Sequence, residues 1–203
     1  MRVLKITSVQ DLKCSLTNHG VLFRDWGRVG ATKPFLRLWG SLMNHEAELC
    51  ESDGHLVLRT RKACGLILSE KKQHVECLFE TKHFENGTVI GGATRYSVSE
   101  KSKFLAGETM EEALARGIRE ELGISGADGF VKLYDDVKTL HPSGAFPGLL
   151  SVTEKCVFEW MMPKKWYAPH YQEDCGYRVS HFRWRKASPQ LLAFIEECKR
   201  KVA

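Results

Sequence analysis

Glutamates 108, 111, 112, 120 and 121 crowd into the segment GETMEEALARGIREELGI, Gly107 to Ile124, together with Arg116 and Arg119. Carboxylates grouped this way on one helix serve one of two ends. They decorate a solvated face, where pairs such as Glu112–Arg116 and Arg116–Glu120 each add roughly 0.2–0.5 kcal/mol. Or they offer hard oxygen ligands to Mg2+ or Mn2+, ions that bridge diphosphate oxygens. Spacing alone favours the solvated face.

The local signals define the helix well. Thr109 and Glu112 form a T-x-x-E capping box, and Gly123 is a left-handed stop. The helix should therefore span about Met110 to Leu122. Met110, Leu114, Ile118 and Leu122 form its apolar stripe, with Glu112, Arg116, Arg119 and Glu120 opposite. Glu121 falls at the edge of the stripe, where a carboxylate must turn outward or be held by a cation.

Read as a whole, the segment resembles the Nudix box, G-x5-E-x7-R-E-U-x-E-E-x-G-U with U aliphatic. Glu108 is followed by seven residues and Arg116; Ile118, Glu120, Glu121, Gly123 and Ile124 fill the later positions. The resemblance implies a Nudix-like α/β/α sandwich with a mixed sheet, an α/β (α+β) class, and cleavage of a nucleoside diphosphate linked to another group. It implies Mg2+ or Mn2+ held by Glu120 and Glu121. Arg116 would be a structural partner for Glu108 or Glu120, and Glu108 would support the metal site or its loop.

Two positions depart from the pattern. The acid expected after the arginine is Gly117, which supplies no ligand and costs about 1 kcal/mol relative to alanine inside a helix. Something must pack closely there, or the site has been rebuilt. The glycine expected six residues before Glu108 is Ser102; Gly91-Gly92 stands further upstream. The chain is also similar to a divergent Nudix-like group with Ser99-Glu100-Lys101, Glu108, Arg116-Gly117, Glu120-Glu121, an N-terminal extension and a later SGAFPGL, Ser143 to Leu149.

A replacement acid or base could come from Glu100, Asp135, Asp136, His141, Glu154 or Glu159. Arg95, Lys101 and Lys103 could contact phosphates, although a solvated basic loop explains them almost as well. Trp166 and Tyr167, beside Lys164 and Lys165, could stack a nucleobase; Trp160 reads as core. His170, Cys175 and His181 match no zinc spacing closely.

Around the helix, Ser8 caps an amphipathic stretch ending at Gly20, and TKPFLRLWGSLMNHEAEL is a second helix candidate. Strand-like segments run from about residue 61 to the Gly-Gly and resume after the acidic helix. A C-terminal helix with a basic end closes the chain. Residues 1–58 read as an N-terminal extension packed on a main domain of 59–203.

The 203 residues are 43% hydrophobic, enough for a real core. A net charge of +5 suits an anionic substrate, a nucleotide diphosphate derivative or RNA, without being polybasic. Seven scattered cysteines without C-x-x-C argue against a disulfide framework and for a reducing, cytoplasmic or nuclear address. No membrane span is expected. Homodimers are frequent among Nudix proteins, so the resemblance allows one here. The alternative to a hydrolase is a catalytically weak Nudix-fold module binding nucleotide or RNA within an assembly.

Overall fold

The computed structural model describes residues 1–28, 32–85, 88–89, 98–103, 107–174, 176 and 178–202. Its elements are β1 (Arg2–Val3), α1 (Val9–Asn18), α2 (Phe35–Met43), β2 (Ala47–Ser52), β3 (His55–Glu70), β4 (Val75–Glu85), β5 (Thr88–Val89) and β6 (Val98–Lys101). They continue with α3 (Met110–Leu122), β7 (Val131–Pro142), β8 (Leu150–Met161), β9 (His170–Asp174), β10 (Arg178–Lys186) and α4 (Pro189–Val202). The class is α+β. Among the described residues, no helix is long and apolar enough to cross a membrane.

The chain forms two compact units, each with its own core. The first comprises 1–62, 101–108 and 136–155; the second comprises 63–100, 109–135 and 156–203. Segment 1–58 lies wholly in the first unit, which also takes in two later pieces of the chain.

In the first unit, β2 pairs antiparallel with β1 and with the opening of β3, for instance Leu49 opposite Leu58. Leu12 and Leu16 of α1 and Leu38 and Leu42 of α2 bury against Ala47, Leu49, Leu56 and Leu58. The SGAFPGL segment completes this core. Phe146 and Leu149 are buried in it, the Trp26 indole N–H donates to the Pro147 carbonyl at 3.1 Å, and the Phe146 N–H donates to Ser143 Oγ at 3.2 Å.

The second helix candidate is shorter than its sequence suggests. It ends at Met43 because His45 takes a left-handed conformation, φ 60°. That residue breaks the helical hydrogen bonding and turns the chain, so Ala47–Ser52 leaves as a strand rather than a further helical turn. RVLKI likewise contributes only Arg2–Val3 to a strand.

The second unit is a three-layer α/β/α sandwich, and its strands reveal this by alternation. Successive strand residues point to opposite faces. Ala63, Ile67, Leu78, Phe158 and Trp160 face a core shared with Ala113, Leu114, Ile118 and Leu122 of α3. Cys64, Leu66, Leu68, Cys77, Phe79 and Val157 face a core shared with Ile195 and Cys198 of α4. Strands β3, β4 and β8 are thus apolar on both sides, as a sheet covered by helices on both faces requires. Strand β4 pairs antiparallel with β10, which pairs antiparallel with β9.

Candidate active site

Helix α3 forms as its capping signals demand. Thr109 Oγ1 accepts from the Glu112 N–H at 3.1 Å, and Glu112 Oε2 accepts from the Thr109 N–H at 2.8 Å. Gly123 ends it at φ 70°. Two lines of residues are buried rather than one. Beside Leu114, Ile118 and Leu122 runs a second line at four-residue spacing, Ala113, Gly117 and Glu121. This is how the carboxylate of Glu121 reaches a buried position, 9% exposed.

Strand β6 approaches along that second line. Val98 and Glu100, two apart on one strand, share a face. A Cβ built on Gly117 would lie 2.8 Å from Glu100 Cβ and 3.4 Å from Val98 Cγ1. Real side chains do not come that close, so glycine at 117 is a packing requirement. The Glu100 carboxylate then reaches Arg116, Oε1 to Nη1 at 3.3 Å. The same Nη1 stands 3.6 Å from Glu120 Oε2. One guanidinium nitrogen is therefore shared by a strand carboxylate and a helix carboxylate. The Glu100 and Arg116 side chains are 21% and 15% exposed, while that of Glu120 is 49% exposed.

The remaining sequence candidates distribute as follows. Arg116 and Glu120 are brought together. Glu108 and Lys101 belong to the first unit. There the Glu108 carboxylate accepts from the Lys103 N–H at 2.7 Å and its carbonyl accepts from Ser102 Oγ at 3.1 Å, so Ser102 holds the turn before the helix by side-chain bonding. Lys101 Nζ bonds to Glu46 Oε2 and Ser41 Oγ, each at 3.1 Å. Arg95 and Gly91-Gly92 lie outside the described residues, as does Cys175.

Trp166 ends a short 3-10 turn, its ring 5.8 Å from that of Trp160 and 4.2 Å from Lys165 Nζ. Tyr167 stacks on Trp184, ring centroids 5.2 Å apart, with Lys71 Nζ 3.2 Å from its ring centre. Its hydroxyl donates to Glu76 at 3.3 Å. These aromatic faces are engaged inside the second unit. Trp160 is core, 1% exposed, with its indole N–H on the Asp128 carbonyl at 2.8 Å.

Asp135, Glu154 and Glu159, also considered as substitutes, have partners of their own. Asp135 pairs with Lys132 at 2.6 Å, and that bond holds its carboxyl below the usual range. Glu154 pairs with Arg59 at 2.6 Å. Buried Glu159 pairs with Lys199 at 2.7 Å. His141 is exposed, Nδ1 2.9 Å from the Ser151 carbonyl. Of the six, Glu100 stands at Gly117, and the sequence signal was the glycine itself, whose cost in a helix demands a close neighbour.

Adjacent carboxylates at 120 and 121, one half-exposed and one buried, fit the oxygen preference of Mg2+ or Mn2+. Mg2+ commonly takes one or two protein carboxylates, with water and substrate phosphate filling its other positions. A cage of three or more such side chains is absent among the described residues.

No family model matches the chain, and no curated protein matches it. Solved structures do. The NUDIX domain of Shewanella oneidensis NrtR, complexed with ADP ribose, is 13% identical, with 71% of this chain and 89% of that one covered and a TM-score of 0.42. A C. elegans Ap4A hydrolase is 11% identical, covering 71% and 98%, TM-score 0.38. A MutT NUDIX hydrolase from Burkholderia pseudomallei is 16% identical, covering 68% and 96%, TM-score 0.39. This chain is similar to Nudix structures, and distantly so.

Proposed function

We propose that this chain is a divergent Nudix-type hydrolase that cleaves a nucleoside diphosphate-linked substrate with a divalent cation. The observation that carries the reading is the pair Glu120–Glu121 on a capped helix, with an acid restored beside Gly117 by Glu100. Glu120 and Glu121 would hold the cation, whose charge would offset that of the diphosphate and favour attack by water at phosphorus.

The protein's own part is positioning. The capping box and Gly123 fix both ends of the helix, so the two carboxylates keep one bearing. Arg116 ties the helix to strand β6 through the Glu100 carboxylate. Glu108 would brace the turn leading into the helix through the Lys103 N–H.

A second reading, a catalytically weak module that binds nucleotide or RNA, is favoured by one observation: the described residues hold no three-ligand acidic group. The two readings part in one experiment. Nucleotide sugars, ADP-ribose, dinucleoside polyphosphates and capped RNA are incubated with the chain in Mg2+, in Mn2+ and in chelator. Metal-dependent cleavage that drops at least about 100-fold in Glu120→Gln and Glu121→Gln supports the hydrolase. No turnover in any arm, with nucleotide or RNA bound equally by native and variant chains, supports the binding module instead.

A further inference from the structure

The shared guanidinium raises a problem for any cation at Glu120. Arg116 stands 3.6 Å from that carboxylate and competes for it. Glu100 resolves the competition. It lies closer to the same nitrogen, 3.3 Å, and the Glu100–Arg116 pair is the less hydrated of the two. Attraction between charges strengthens as water is excluded, so of these two carboxylates the strand acid holds the guanidinium more strongly. Glu120, half in solvent, is left able to turn toward another cation.

Gly117 is what permits this. With Glu100 Cβ 2.8 Å from the place a Cβ at 117 would take, any larger residue would push β6 and the Glu100 carboxylate away from Arg116. The glycine and the strand glutamate form one device. An acid absent from the helix is delivered from the neighbouring strand, and it acts on the guanidinium.

We infer that Glu100 is a positioning residue for cation binding: by holding Arg116 across Gly117, it leaves the Glu120 carboxylate available to a divalent metal ion. The inference rests on the hydrolase reading of this helix.

The test is Mn2+ binding followed by electron paramagnetic resonance, with circular dichroism reporting the fold. The proteins are the native chain, Glu100→Gln, Arg116→Gln and the double variant. Glutamine keeps the volume of Glu100 against Gly117 and removes only its charge. Glu100→Gln should weaken Mn2+ binding about 10- to 100-fold, the range typical of residues that orient a ligand. In the Arg116→Gln background the same change should weaken binding much less, because the guanidinium it acts on is gone. Arg116→Met replaces Arg116→Gln if the latter does not fold.

Unchanged Mn2+ affinity in Glu100→Gln overturns the inference and leaves the hydrolase reading standing. An equal loss in both backgrounds also overturns it, since Glu100 would then be a ligand. Absence of Mn2+ binding by the native chain overturns the hydrolase reading and the inference together.

Discussion

Glu100 and Gly117 occupy one space: the Cβ of the first lies 2.8 Å from where a Cβ of the second would stand. The atom in the way sits on strand backbone, so it cannot swing aside as a side-chain tip would. Gly117→Ala should destabilise the fold by about 1–3 kcal/mol through overpacking, despite alanine's better helix propensity. Gly40, also inside a helix, has nothing within 4 Å of its Cβ position. Gly40→Ala should stabilise by about 0.5–1 kcal/mol. Urea denaturation of the two variants reads opposite signs from the same substitution.

Lys199 of α4 closes over buried Glu159 at 2.7 Å. Lys199→Met strands that carboxylate against the sheet. Breaking a buried pair costs about 3–5 kcal/mol; Lys199 is a third exposed, so about 2–3 kcal/mol is expected after solvent screening. The bond to Glu159 raises the Lys199 pKa above its ordinary 10.5. Its contribution is therefore fully present below pH 10.5 and lost as pH rises through the higher folded value. Denaturation midpoints of native and variant chains should differ at pH 8 and converge in strong alkali.

The thiols divide sharply. Burial pushes Cys77 up to about 12, and burial with the nearby Asp135 carboxylate pushes Cys156 up to about 12. Cys14 is exposed. Reactivity follows the thiolate, so iodoacetamide at pH 8 should modify Cys14 in the native chain and spare Cys77 and Cys156. Mass spectrometry of tryptic peptides checks this, and urea should bring all three to similar rates.

Helix α3 was legible to the residue, from Thr109 to Gly123, because its signals are local: a capping box, an apolar period and a glycine stop. The two-faced strands were legible as strands, while the layers that cover them came from the family resemblance. Gly117 announced that something packs on it, but the identity of the neighbour depends on which strand the sheet lays there. No local pattern encodes that. The end of α2 was misread because a histidine, not a glycine, takes the left-handed turn at residue 45. Nothing local in SGAFPGL marks Phe146 and Leu149 as core, yet both are buried. Their burial depends on helices more than a hundred residues earlier.

That last pairing sets an order of events in synthesis. Leu12, Leu16, Leu38 and Leu42 leave the ribosome long before the Phe146 and Leu149 that complete their core. The first unit begins first and cannot finish until the chain has passed Leu149, by which point α3 has already been made. A fragment stopping at residue 58 should expose the apolar faces of α1 and α2 and require a chaperone or self-association to stay in solution.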